Sequence, residues 1–388
     1  MNKKRKILAV TGARSEYDIL YPILFLLQAD DSVDLQILVT GAHLSERYGK
    51  TVSIIEKDGF VIAERVNNLL DSDDKMSRVI SLGNQIPAFA KVFDAVKPDI
   101  ILVVGDREEA ISVSLTGAYM DIPVAHIAGG DIAKDGNIDN SVRYATSKFS
   151  HIHFTILEEH RKTLLKLGED DWRIFTVGNP ALDRFLETPQ LSKKQISENI
   201  GFDISDDNYI VLIQHPIITD VENEGRNIRQ TLDAVVELGC KCLINYPNSD
   251  AGNFAIIDAY KEYEKKHKQL FLFKNLDRLN YINILRNASC LIGNSSSGII
   301  EAPSLGLPVV NIGSRQRGRI HAENVIFVDN DKVHIKAAVE KSLNDKGYIQ
   351  SVKNIKNPYG DGNSAVKIVV VLKTIELNDK LIHKNITY

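Results

Sequence analysis

Short apolar, β-branched runs alternate with longer stretches of helical spacing through most of this chain. In the first half Ile7–Thr11, Leu35–Val39, Ile100–Val104, Val124–Ile127, His151–Phe154 and Ile174–Val177 read as strands. Between them Tyr17–Leu27, Val52–Ile55, Glu109–Met120, Asp139–Lys148 and Glu158–Leu167 carry apolar residues at helical intervals. Ile100–Val104 follows Lys97-Pro98 and is apolar at every position, as a strand covered on both faces of a parallel sheet requires. The rhythm restarts at Tyr209–Ile213, Lys241–Asn245, Leu270–Phe273, Cys290–Ile292 and Pro308–Asn311. Such alternation predicts βαβ units and an α/β fold of parallel sheets.

The break falls at Gly178-Asn179-Pro180 and runs through Glu187–Asp207, a stretch with the Pro, Ser and charge density of a linker. Two Rossmann-like domains are therefore expected, 1–185 and 186–388, with a ligand cleft between them. The last helix, around Ala365–Leu377, is a candidate to pack back on the first domain. Neither half has G-x-G-x-x-G after its first strand, which argues against a bound dinucleotide. No internal repeat and no low-complexity segment interrupt the pattern.

Composition narrows the class. A chain of 388 residues, 44% hydrophobic and 25% charged, describes a water-soluble globular protein long enough for two domains. A net charge of −4 leaves no footprint for nucleic acid or an anionic membrane. No apolar run approaches the ~20 residues of a membrane span. Lys3-Lys4-Arg5-Lys6 abuts a buried-strand pattern and reads as its solvated lead-in. Cys240, Cys242 and Cys290 form no zinc spacing and no even set, as expected of small core side chains in a reducing cytoplasm.

In open parallel sheets, ligands bind beyond the carboxyl ends of the strands, so polar residues that directly follow apolar strands are the candidates. The first strand delivers Gly12-Ala13-Arg14-Ser15-Glu16-Tyr17-Asp18. The glycine permits close backbone approach, Arg14 can fork onto a phosphate, and Ser15-x-x-Asp18 reads as a helix cap. Thr40-Gly41-Ala42-His43 follows the second strand; a single histidine there is more often packing than ligand. Ile100–Val104 delivers Gly105-Asp106-Arg107, where a carboxylate at the exit of an apolar strand needs a partner or a task, and Arg107 is the neighbouring partner. The next strand delivers His126-Ile127-Ala128-Gly129-Gly130-Asp131. Asp139 and Arg143 stand at i,i+4 on one helix face, either a surface pair or a carboxylate oriented by a guanidinium.

In the second half, His215 ends a strand before Pro216, and Asn248-Ser249-Asp250-Ala251-Gly252 reads as a turn. Ile292-Gly293-Asn294-Ser295-Ser296-Ser297-Gly298-Ile299-Ile300-Glu301 joins a strand to a helical pattern through a small polar turn. A helix N-terminus with serine hydroxyls can hold a phosphate. Glu301, one turn further on, can chelate vicinal hydroxyls such as those of a ribose. Arg315, Arg317 and Arg319 follow the next strand and suit a pyrophosphate. Nothing looks like a metal cage, so arginines and backbone amides are left to hold the diphosphate charge, without a cofactor.

In these segments the chain resembles the UDP-N-acetylglucosamine 2-epimerases, from about Lys6 to about Asn363, and specifically their UDP-hydrolysing branch. The matching motifs are Gly12-x-Arg14-x-Glu16-Tyr17, Gly105-Asp106-Arg107, His126-Ile127-x-Gly129-Gly130, Ile138-Asp139-x-Ser141-x-Arg143-x-x-x-x-Lys148, Gly293-Asn294-Ser295-Ser296-x-Gly298 and Gly313-x-Arg315-Gln316. The resemblance implies a GT-B fold, a UDP-sugar substrate, and assembly as a homodimer or homotetramer. It also implies anti elimination of UDP to a 2-acetamidoglucal, then hydration to N-acetylmannosamine, as in sialic or legionaminic acid synthesis. Carried over by position, Asp106, Asp139, Arg143 and His215 match catalytic residues, with Asp131 a further candidate acid. Arg14, His43, Arg107, His126, Asn248, Ser295, Ser296, Glu301 and Arg315 stand on the substrate side.

Ala128 occupies a position where many relatives carry a glutamate, one candidate acid/base. Asp131 or Asp139 is expected to serve instead, with His126 orienting it. Ile19 stands where the non-hydrolysing branch retains a lysine, which favours the hydrolysing branch. The competing readings are an epimerase for UDP-N,N′-diacetylbacillosamine, a GT-B glycosyltransferase with the same nucleotide cradle, and a non-catalytic nucleotide-sugar sensor. Ala128 points towards the sensor, and the retained acids point away from it.

Overall fold

The computed structural model describes residues 3–70, 72, 74–131, 138–205, 208–248, 252–274 and 276–385. The chain divides into two compact units, Met1–Arg184 with Tyr359–Tyr388, and Phe185–Pro358. Residues 359–388 thus join the first unit. The expected 186–388 grouping loses them because Ala365, Ile368 and Leu372, on the helix Ser364–Thr374, pack with Leu20, Ile23 and Leu24 of the helix Arg14–Gln28.

The first unit is built on seven strands: β1 (Arg5–Thr11), β2 (Val33–Thr40), β3 (Ile62–Val66), β4 (Ile100–Val104), β5 (Val124–Ile127), β6 (Ile152–Thr155) and β7 (Ile174–Thr176). They form one parallel sheet in the order β3-β2-β1-β4-β5-β6-β7. Every residue of β4 is buried, which accounts for its unbroken apolar run. One face of the sheet packs under Leu20, Ile23, Leu24 and Leu27, and a second cluster contains Phe89 and Phe93 of the helix Lys75–Val96. A fully buried leucine such as Leu24 contributes about 1.5–3 kcal/mol by its burial.

The second unit repeats the plan with β8 (Tyr209–Ile213), β9 (Lys241–Asn245), β10 (Leu270–Phe273), β11 (Cys290–Gly293), β12 (Val309–Ile312) and β13 (Val325–Val328). Its parallel order is β10-β9-β8-β11-β12-β13. In both sheets the order reverses beside the first strand, at β1/β4 and at β8/β11, and such switch points open a crevice at the strand ends.

Several elements escaped the hydrophobic pattern, three of them for reasons visible in their burial. The edge strand β3 exposes Glu64 and Arg65, which breaks its alternation. The helix Lys75–Val96 leaves Met76, Val79 and Ile80 exposed and contains Gly83 and Pro87, so its apolar stripe is blurred. The edge strand β13 is only half-buried. The expected linker is also more ordered than its composition implies. Ser192 and Gln195 cap a helix, Lys193–Ile200, which puts Ile196 in the core of the second unit; Asp206 and Asp207, at the end of that stretch, lie outside the described residues. Among the described residues, no helix is long and apolar enough to cross a membrane.

Candidate active site

At the β1/β4 switch point the exits of both strands converge on a buried acid–base cluster. Ala13, not Ser15, starts the helix Arg14–Gln28, and the cap comes from Glu16, whose Oε2 accepts the backbone N–H of Gly12 at 2.7 Å and of Ala13 at 3.2 Å. Gly12 yields space to protein rather than to ligand: a Cβ there would lie 2.4 Å from Cδ of Glu109. Arg107 lies between the two glutamates, its Nε 3.9 Å from Glu16 and 3.6 Å from Glu109. Burial, then the nearby Glu109, pushes the Glu16 carboxyl up to about 8, and burial raises Glu109 as well. Burial and mutual repulsion thus favour the protonated form of both acids, and Arg107, within 4 Å of each, compensates the charge that remains.

A cavity of about 930 Å³ opens above this floor, its wall including Arg14, Asp106, Arg107, Glu109 and Asp139. Asp106 takes its ion pair from Arg143 rather than from its neighbour Arg107. Arg143 also reaches Asp131 at 3.0 Å, so it turns to these two acids and not along its own helix to Asp139. His160 completes the row, with Nε2 3.3 Å from Asp131 Oδ1. One guanidinium, 11% exposed, thereby orders two carboxylates from different loops.

Two histidines expected on the substrate side stand behind this wall. His126 is fully buried, its Nε2 2.7 Å from the Gly105 carbonyl and its Nδ1 3.1 Å from Ser147 Oγ. Burial holds it neutral, down at about 3, so it fixes the backbone before Asp106 instead of orienting Asp131 or Asp139. His43 is likewise buried between Thr11 and Thr51, at 3.0 and 2.8 Å, and lowered to about 4 by burial. Packing accounts for both: His126 lies in β5 and His43 in the 3-10 turn Gly41–Leu44 after β2, and each spends both ring nitrogens on protein partners. Ala128, directly after His126-Ile127, has φ +65°, a conformation that costs a non-glycine residue about 1–2 kcal/mol. Its N–H is fixed on Phe154 O at 2.9 Å.

The β8/β11 switch point of the second unit is built mainly from neutral donors. Asn294, 1% exposed, clamps His215 on both sides, accepting its N–H at 2.7 Å and donating to its carbonyl at 2.8 Å. The Asn294 carbonyl takes Arg315 Nη1 and Gln316 Nε2, both at 3.1 Å. His215 Nδ1 accepts the Asn248 N–H at 3.0 Å, which leaves Nε2 to carry the proton of the neutral ring. Gly293, at φ +115°, has no room for a Cβ, which would fall 2.1 Å from Ile213 O.

The helix expected after this turn is only Ser297–Ile300, followed by a 3-10 turn at Ala302–Leu305. Its dipole is correspondingly short, and Arg315 carries the positive charge instead. Ser295 is buried and its Oγ accepts the Ser297 N–H at 3.3 Å, while Ser296 begins the short helix. Glu301 sits between the two turns with Oε2 buried and without a hydrogen-bond partner among the described residues, and burial pushes its carboxyl up to about 7. An unpaired buried acceptor suits ligand hydroxyls. Of the turn expected at Asn248–Gly252, Ser249, Asp250 and Ala251 lie outside the described residues.

Within the first unit the structure thus assembles Arg14, Asp106, Arg107, Asp131, Asp139 and Arg143, and withdraws His43 and His126 from the surface. Within the second it joins Asn248, His215 and Arg315 through Asn294. Glu109, His160, Asn294 and Gln316 were missed as partners. Glu109 sat in the quoted helix and Asn294 and Gln316 in quoted motifs, but only spatial pairing gives them roles; His160 carried no signal at all.

A sequence model described as UDP-N-acetylglucosamine 2-epimerase matches residues 26–373. The hydrolysing UDP-N,N′-diacetylbacillosamine 2-epimerase of Legionella pneumophila is 35% identical over 98% of both chains. The hydrolysing GDP/UDP-N,N′-diacetylbacillosamine 2-epimerase of Campylobacter jejuni is 36% identical, again over 98% of each. The crystal structure of UDP-GlcNAc 2-epimerase from Neisseria meningitidis bound to UDP-GlcNAc superposes with a TM-score of 0.78 at 24% identity, covering 95% of this chain and 99% of that one. The chain belongs to the UDP-N-acetylglucosamine 2-epimerase family, and its fold is of the GT-B-like type, with two Rossmann-like units that each carry a parallel sheet.

Proposed function

We propose that this family member is a hydrolysing 2-epimerase that converts UDP-N-acetylglucosamine and water to N-acetylmannosamine and UDP. The observation that carries the reading is the Asp106–Arg143–Asp131 row beside a cavity that also exposes Arg14 and Asp139. One carboxylate removes the C2 proton while the bond from C1 to the UDP oxygen breaks, giving a 2-acetamidoglucal. Water then adds to C1, and an acid returns a proton to C2 from the opposite face. Two faces need two acids, and the site holds three: Asp106, Asp131 and Asp139. Arg143 holds Asp106 in place through their ion pair, as a general base must be held.

The first unit handles the sugar and the second the nucleotide in this reading. Arg315, Ser295 and Ser296 receive the diphosphate, and Glu301 Oε2 accepts the ribose hydroxyls. His215, with Nε2 protonated, donates to the departing phosphate, and Asn248 keeps it in that tautomer.

A second substrate has comparable support, because the Legionella and Campylobacter relatives are both named for the diacetamido sugar. NMR in D₂O with each UDP-sugar decides. Release of UDP with C2-deuterated N-acetylmannosamine supports the first substrate. Turnover of only the diacetamido sugar transfers the reading to the second. Silence with both rejects hydrolysing epimerisation.

A further inference from the structure

Away from the strand ends, a cluster of buried charge in the first unit lies where the C-terminal segment meets the far end of the helix Ile138–Phe149. Glu169, 1% exposed, receives Lys148 at 2.9 Å on Oε1, and His153 at 2.9 Å and Lys384 at 2.6 Å on Oε2. Lys384 also donates to the carbonyls of Ser147 at 3.3 Å, Lys148 at 2.9 Å and Ser150 at 2.5 Å. These carbonyls belong to the last turn of the helix and the residue beyond it, where acceptors lack partners and the dipole favours a cation.

The segment that brings Lys384 here is itself tied down. Arg173, 1% exposed, donates to the carbonyls of Lys380 at 2.6 Å, Leu381 at 2.7 Å and His383 at 3.3 Å. Lys380 Nζ lies 4.7 Å from the centre of the Trp172 ring, and Leu381 is fully buried. The clamp continues directly to the acids. Ser147 Oγ donates to Arg143 O at 3.0 Å and faces His126, whose other nitrogen meets the carbonyl of Gly105, the residue before Asp106. Arg143, one turn back on the same helix, holds Asp106 and Asp131.

We propose that Lys384 is a positioning residue: it fixes the end of the helix Ile138–Phe149 and so sets the register of Arg143 against Asp106 and Asp131. As a statement about turnover, this rests on the functional reading above; as a statement about the helix, it does not. A helix end that needed only capping could use a local glycine or water. Here the cap comes from a residue 236 positions away in sequence, so the order of the acid-bearing helix depends on docking of the C-terminal segment.

The test combines Lys384→Met, Lys384→Arg and Lys380→Ala with steady-state kinetics on the UDP-sugars and amide hydrogen exchange across 138–149. Lys384→Met is expected to lower kcat by about 10–100-fold, the scale of a small misplacement of reacting groups, with KM little changed. Lys384→Arg should recover most of that loss. Lys380→Ala, a change at an exposed side chain, should give a smaller loss of the same kind. Exchange should quicken in 138–149 and stay unchanged in the helix Glu158–Lys166. Unchanged kcat in Lys384→Met, or a KM effect alone, would overturn the proposal. If Lys384→Met fails to fold, normal kcat and unaltered exchange in Lys380→Ala would overturn it. If the wild type turns over neither sugar, the reaction reading falls while the exchange measurement still decides whether Lys384 orders the helix.

Discussion

The two switch points share one topology and differ in their chemistry. At β1/β4 the strand ends carry acids in ion pairs: Glu16 and Glu109 about Arg107, and Asp106 and Asp131 about Arg143. At β8/β11 the corresponding positions carry amides, hydroxyls and Arg315, tied together through Asn294, and Glu301 Oε2 has no hydrogen-bond partner among the described residues. A sheet edge dense in acids with altered proton affinities is equipped to move protons. One made of neutral donors and an arginine is equipped to hold an anion that must be released intact. The fold supplies the location, and the side chains at the strand ends decide the task.

The largest effect expected from this contrast comes from removing an acid of the first edge. Asp106→Asn should lower kcat by roughly 10²–10⁴-fold, the usual worth of a general base, while UDP affinity measured by calorimetry stays nearly unchanged. Equal losses in both would erase the division of labour. The mirror experiment, Arg315→Ala, removes a charged donor from the second edge. UDP binding should weaken by about 1.5–3 kcal/mol, with the protein's melting temperature preserved.

A finer distinction lies in Glu301. Because burial holds it at about 7, it ionises as pH rises through neutrality, and only then is it a full acceptor for hydroxyls. UDP affinity should therefore climb from pH 6 to pH 8 by roughly tenfold in the wild type and stay flat in Glu301→Gln. A flat wild-type profile would remove Glu301 from the nucleotide site.

The smallest effect concerns stability. Glu16 has its folded value raised from 4.5 to about 8, so its stabilising contribution is complete below pH 4.5 and is lost as pH rises to 8. Melting temperature should fall across that window and fall less in Glu16→Gln. An identical slope in the variant would show that Glu16 does not hold a proton in the folded state through that window.

Strand positions were legible because a parallel strand covered on both faces must be apolar throughout, as Ile100–Val104 and Tyr209–Ile213 are. The candidate residues were legible for the same reason, since a polar residue directly after such a strand reaches the sheet edge. Their partners were not. Arg107 and Arg143 both looked able to satisfy the acid beside them, yet Arg107 bridges two glutamates and Arg143 crosses to Asp106. His43 and His126 followed the rule for candidates and still fell behind the wall, because the pattern gives the position along a strand and not the depth of the side chain.

By itself the sequence determined the two-unit α/β plan, the strand ends where polar candidates cluster and the family to which those residues point. Each follows from local rules of periodicity and of which residues come next in the chain. Tertiary structure alone decided which acid meets which arginine, which histidines are withdrawn from solvent, and that residues 359–388 return to the first unit to cap its acid-bearing helix. Those outcomes depend on contacts between residues tens to hundreds of positions apart, and no local pattern encodes the distance between two side chains that meet only after folding.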